Sequence, residues 1–221
     1  MIIVHRMMRS RSYLALVLLA ACCIGQSSAF EHGPPPAKDA ATYPAVDNHQ
    51  EEHVAIAAEP WNTEEKIKMF RVNYLDHQFL PIRIIITNSG DRPISLKDVR
   101  INFVSAHGDR IPAAEPEDIE RRISLRDKTG ERIPIGPIKI HTKPKTPNDK
   151  IEQDFSEFEY GALVVEPHTT RAGFLFYDIQ GLGNAPLRGA KLLFRQVKDA
   201  DGKELFYFEI PFDKYLQTQP Q

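Results

Sequence analysis

His49-Gln50-Glu51-Glu52-His53 has the spacing H-x-x-E-H. On a helix this spacing puts His49 and His53 on one face, where both imidazoles reach one zinc ion. Glu52 would then act as a base on zinc-bound water, making the chain a zinc-dependent hydrolase. That chemistry also needs a rigid helix, a third ligand and a dry pocket. Here the motif follows a proline-rich stretch and precedes a strand-like segment, Val54-Ala55-Ile56-Ala57. A solvated polar segment is therefore the expected reading, with loose metal capture by His32, His49 and His53 ranking above catalysis. Asp199, Asp201 and Glu204 fall short of a calcium loop. Gly202 follows Asp201 directly and no late Glu fits, so a glycine turn is expected.

Acyl transfer would need a Ser or Cys with a His and an orienting acid. No G-x-S-x-G elbow occurs, and His168 sits in a turn-like run, Glu166-Pro167-His168-Thr169-Thr170, without a visible partner. The acidic pairs Glu51-Glu52, Glu64-Glu65 and Glu117-Asp118 read as capping and solubility groups. The single Trp61 reads as a core anchor. No catalytic, cofactor or metal site is expected. Lys128, Arg132, Lys139, Lys143, Lys145 and Lys150 form a basic run, followed at once by Glu152, Asp154, Glu157 and Glu159. This is a solvated loop or a contact loop for anionic headgroups or cell-wall polymers. It holds no aromatic platforms, which argues against nucleic acid.

The amino terminus carries a different chemistry. Arg6, Arg9 and Arg11 precede a short apolar run, Tyr13 to Ala21. This run is far below the ~20 residues of a membrane-spanning helix and has the build of an export signal. Leu19-Ala20-Ala21-Cys22 resembles the lipobox of bacterial lipoproteins. The resemblance implies that Cys22 becomes the first mature residue and carries lipid. Ser27-Ser28-Ala29 offers a second exit, freeing Phe30. Either way the protein is expected outside the cytoplasm, membrane-anchored or soluble. The only two cysteines are Cys22 and Cys23, so no disulfide staples the body. The chain is long enough to build a core without one. Its formal charge of -2 becomes more negative once the three leader arginines are removed, which argues against a polyanion binder.

These boundaries divide the chain into a signal peptide (1–21, or 1–29), a flexible tether (22–52), a folded domain (53–216) and a tail (217–221). In the domain, Asn62 with Glu65 is expected to cap a short helix that buries Ile67 and Phe70. Ile82, Ile84 and Ile86 alternate with Arg83, Ile85 and Thr87, a strand signature. Val99, Ile101 and Phe103 repeat it. Glu115 to Arg122 forms a short helix with acids first and bases last. Val164-Val165, Gly173–Tyr177, Lys191–Val197 and Leu205–Phe212 supply further strands, the last with Phe206, Phe208, Ile210 and Phe212 on one face. Arg126 to Tyr160 is long, charged and proline-rich, and reads as an inserted loop with edge strands near Ile133–Ile140.

Seven or more short strands with one or two short helices predict an all-β antiparallel sandwich. The wording of two stretches sharpens this. Leu80 through Leu96, containing Thr87-Asn88-Ser89-Gly90-Asp91-Arg92-Pro93-Ile94-Ser95-Leu96, is similar to the opening of Ig-like domains in bacterial lipoproteins and secreted proteins. Val165 through Phe176 is similar to their later hairpin. The resemblance implies an Ig-like sandwich with no shared catalytic residues. The expected role is non-enzymatic binding of an envelope protein or cell-wall component, through exposed sheet edges and the long insertion. Carriage of a small ligand within the sandwich is a third reading.

Overall fold

The computed structural model describes residues 33–129 and 147–219, and the compact body begins at Pro35. Ten strands and four helices lie among the described residues, and strand outweighs helix, 34% against 22%. Three antiparallel sheets carry the fold. The first joins β1 (Val46–His49), β2 (Val54–Pro60), β3 (Phe79–Asn88) and β8 (Thr169–Asp178) in that order. The second runs β10 (Phe208–Pro211), β9 (Lys191–Arg195), β5 (Arg100–Val104) and β6 (Arg110–Pro112). A small third sheet pairs β4 (Ile94–Ser95) with β7 (Val164–Val165).

The alternation read in β3 is real, but both of its faces are buried. Leu80, Ile82, Ile84 and Ile86 enter one large core with Phe103, Leu192, Phe194, Phe208 and Ile210 of the second sheet. Ile85 faces the other way, under Ala40, Ala55 and Ala57. Phe79 joins a separate aromatic core with Phe174 and Phe176 of β8. The outer face of the first sheet therefore has two covers.

One cover corrects the tether expectation. Residues 35–45 pack across the sheet, and β1 follows them. Asp39 caps a 3-10 turn, Ala40–Thr42, by accepting from the Ala41 N–H. The Ala40 N–H donates to Thr87 Oγ1 at 2.9 Å, and the buried Arg83 donates through Nη2 to the Pro35 carbonyl. The stretch has few large side chains, but alanines let it lie flat on the sheet.

The other cover corrects the loop and helix expectations. The short helix expected over Glu115–Arg122 continues to Thr129 as α2 (Pro116–Thr129). The described end of the expected insertion is α3 (Pro147–Phe158), and 130–146 lie outside the described residues. The expected edge strand, Ile133–Ile140, lies outside the described residues. Ile119 and Ile123 of α2, with Ile151, Phe155 and Phe158 of α3, close over Phe70, Tyr74 and Phe176. The helices were hidden because each buries a sparse apolar stripe among many charges. Two smaller revisions concern caps. Thr63, not Asn62, is the N-cap of α1 (Glu64–Ile67), its Oγ1 accepting from the Lys66 N–H. A final helix, α4 (Asp213–Gln217), docks Tyr215, which donates to the Pro60 carbonyl and to Asn62 Oδ1.

Candidate functional site

Three loops meet at one end of the two large sheets. The first is the β1–β2 turn, where His53 takes a left-handed φ of 57°. The second is the β3–β4 turn. Asn88 organises it from a buried position, donating through Nδ2 to the Arg92 and Val165 carbonyls and accepting from the Gly90 N–H. The third links β9 to β10. There Asp199 Oδ1 accepts from the Asp201 and Lys203 N–H groups, and Gly202 supplies the φ of 81° that the turn requires.

The loops are tied to one another. Ser89 N–H and its hydroxyl both donate to the His53 carbonyl, at 2.9 and 3.0 Å. Arg92 grips Asp201 with two nitrogens at 2.6 and 2.7 Å. The paired hydrogen bond holds the Asp201 carboxyl below the usual range and raises the Arg92 guanidinium. Between the loops lies a cleft of about 400 Å³, lined by Glu51, Glu52, Asp91, Arg92, Asp199 and Lys203 among others.

The H-x-x-E-H motif falls here, but on a hairpin. His49 ends β1 and His53 follows the turn. The His49 ring stacks on Phe208 at 3.9 Å between centroids. Its Nδ1 lies 2.8 Å from Glu52 Oε2 and its Nε2 lies 3.3 Å from Asp47 Oδ2. Both ring nitrogens thus face carboxylates, leaving neither aimed at a metal. Among the described residues no group of three His, Cys, Asp or Glu side chains is placed to hold an ion. The geometry gives the motif a structural task instead. Glu52 Oε1 accepts from the Phe206 N–H at 3.0 Å, and Asp47 Oδ2 accepts from the Glu209 N–H at 2.8 Å. These bonds join the edge of β1 to the edge of β10.

They also fix an unexpected feature. Phe206, placed by alternation on the core face, is 67% exposed, and Tyr207 is 45% exposed. Their rings stack on each other at 4.8 Å. The alternation misleads because β10 starts only at Phe208. Residues 196–207 form a longer excursion, with a left-handed Gln196 and a Lys198–Glu204 bridge. The overlooked signal was the excess of large apolar residues over what a four-residue strand can bury.

The other sequence candidates are scattered. Lys150 is exposed on α3, Lys128 lies in the last turn of α2, and Arg132, Lys139, Lys143 and Lys145 lie outside the described residues, as does Cys22. His168 is an exposed turn residue 3.0 Å from Asp91. Trp61 is a core anchor, set edge-on to Phe174. Among the described residues no helix is long and apolar enough to cross a membrane. Set against known protein families, curated proteins and solved structures, the chain matches none.

Proposed function

We propose that this chain is an exported, lipid-anchored Ig-like β-sandwich that works without catalysis, by binding an envelope protein or cell-wall component through its loop end. Two four-stranded antiparallel sheets sharing one core support the sandwich. The carrying observation is the Phe206–Tyr207 pair. Two large rings stand in solvent beside a cleft while their backbone is pinned by Glu52. Exposed aromatic surface held rigid is characteristic of contact sites, because little conformational entropy is lost on binding.

A lipid on Cys22 would keep the body close to its membrane. The body starts at Pro35, 13 residues on, so the connecting chain could reach at most about 47 Å even when fully extended. Palmitate labelling of the wild type, lost in Cys22→Ser, is the expected result. Label retained in that variant removes the anchor.

The contact is tested by placing a photo-crosslinking residue at Tyr207 in cells, and a control at Lys68, an exposed position beyond α1 and so toward the other end of β2. A discrete adduct from position 207 and none from 68 is expected. Equal adducts, or none from 207, refute the loop-end contact.

A further inference from the structure

We infer that the occupant of the loop-end cleft is a basic segment of a partner protein, its Arg or Lys side chains lying between the cleft carboxylates and the Phe206–Tyr207 rings. The inference rests on the binding reading above and assigns its ligand chemistry. Five carboxylates line the cleft, on Glu51, Glu52, Asp91, Asp199 and Glu204, against two cations, Arg92 and Lys203. Arg92 is already neutralised by Asp201, which stands outside the cleft lining. Glu51 and Asp91 are exposed, and the Asp91 side chain is 94% open to solvent, with one oxygen 3.0 Å from His168 Nε2 and the other facing water. The loops are tied together by Ser89–His53 and Arg92–Asp201, which keeps these carboxylates around one cleft. A cation entering the cleft meets several carboxylates at once without reorganising the loops.

The aromatic pair points the same way. Leu205 lines the cleft, and the next two residues are Phe206 and Tyr207. Ring faces attract guanidinium and ammonium groups. A cleft of about 400 Å³ takes the ends of one or two long side chains. Reaching both the cleft and the rings requires a chain that runs across them. That favours an extended peptide over a small free cation.

The test uses fluorescence anisotropy on the purified mature protein. Three labelled nine-residue peptides are compared, with arginine, serine or glutamate at alternate positions between glycines. The arginine peptide is expected to bind at least about tenfold more tightly than the serine peptide, and more weakly as salt is raised. Glu51→Gln with Asp91→Asn, and separately Phe206→Ala, should each weaken it about threefold. Lys203→Gln should tighten it, a gain that a misfolded variant cannot produce. Equal binding of the arginine and serine peptides overturns the inference, as does indifference to all of these substitutions. If crosslinks from position 207 persist while the arginine peptide fails, the cleft remains a contact site and its cationic ligand is refuted. Tight binding of soluble cell-wall glycan in place of the arginine peptide would assign the cleft to a neutral polymer.

Discussion

Asp154 is the point where a single substitution should tell most about how the helical cover is held. Its side chain is fully buried on α3. The carboxylate accepts from the Arg71 N–H at 2.9 and 3.1 Å, from Arg71 Nη1 at 2.9 Å and from the Tyr74 hydroxyl at 3.0 Å. Burial, with Asp154 beside it, pushes the Tyr74 phenol far above its usual value, so it remains a donor at every accessible pH. Asp154→Asn keeps the shape but turns one acceptor into an NH₂ facing donors. Bonds to a charged acceptor contribute about 1.5–3 kcal/mol, and each stranded buried donor costs about 1–3 kcal/mol. The Arg71 guanidinium is 35% exposed and keeps Glu157 at 2.6 Å, so its share is small. The Arg71 N–H and the Tyr74 O–H carry the loss, about 3 kcal/mol in all. With a denaturant slope of about 2 kcal/mol/M, the urea midpoint should fall by about 1.5 M. Tyr74→Phe leaves the carboxylate its Arg71 donors and should cost only about 1 kcal/mol. The reasoning fails if Asp154→Asn unfolds within 0.3 M of the wild type, or if Tyr74→Phe costs as much.

Gly173→Ala should destabilise by at least about 2 kcal/mol in the same assay. A Cβ there would stand 2.5 Å from Tyr160 Cα and 2.8 Å from Tyr160 N, backbone atoms that cannot turn aside. Arg122→Gln tests an ion pair. Burial raises the Asp178 carboxyl, but hydrogen bonds from Arg122 and the Gln180 N–H more than offset this, so it lies below the usual range. A depressed carboxyl stabilises above its unfolded value and loses that contribution as pH falls through its folded one. The gap between wild type and Arg122→Gln should therefore be about 0.5–1 kcal/mol at pH 7, given partial exposure, and should shrink as pH falls below the usual carboxylate range. Thr87→Val should speed hydrogen exchange at the Ala40 amide, whose acceptor it removes, while leaving the β2–β3 amides protected. Unchanged exchange at Ala40 would mean that the strap, residues 35–45, is held by its alanine packing and the Arg83–Pro35 bond without help from Thr87.

The long central strands were legible because each has a cheap local signature, whereas β1 fell inside the expected tether and the short β4 and β6 went unread. Ile82, Ile84 and Ile86 announce a core face at period two, and Asn88-Ser89-Gly90-Asp91 announces the turn. The two stretches that suggested an Ig-like domain prove to be neighbours. Asn88 pairs with Thr169 in one ladder and Ile94 with Val165 in the next, so their shared wording describes one corner of the fold. What could not be read depends on partners distant in sequence. Nothing local to Ala40 says that Ile85 lies beneath it, and nothing in Asp154 says that Arg71 and Tyr74 will bury it. The H-x-x-E-H pattern failed for a related reason. Its spacing specifies zinc only on a helix, and pairing of β1 with β2 places it on a hairpin.

The same long-range bonds decide where a partner has room to bind. Sheet edges were the expected contact, since an open edge offers unpaired N–H and C=O groups. Here Asp47 occupies the β10 edge at Glu209, Glu52 takes the Phe206 N–H just before it, and the β8 edge is taken up at Ala113, Ala114 and Tyr160. The long outer face of the first sheet lies under the strap and the helices. Among the described residues the large exposed apolar side chains are Leu163, Phe206 and Tyr207, and the last two stand stacked together at the loop end. The hairpin that carries the histidine motif meets the β10 edge through Asp47 and, through Glu52, fixes the Phe206 backbone just before that strand. Glu52→Ala, which removes the acceptor of the Phe206 N–H, should therefore leave most of the fold intact while loosening residues 205–207. A faster exchange at the Phe206 amide, with Glu209 unchanged, would separate the two roles of that turn, and loosening of both would show that the edge gives way as a unit.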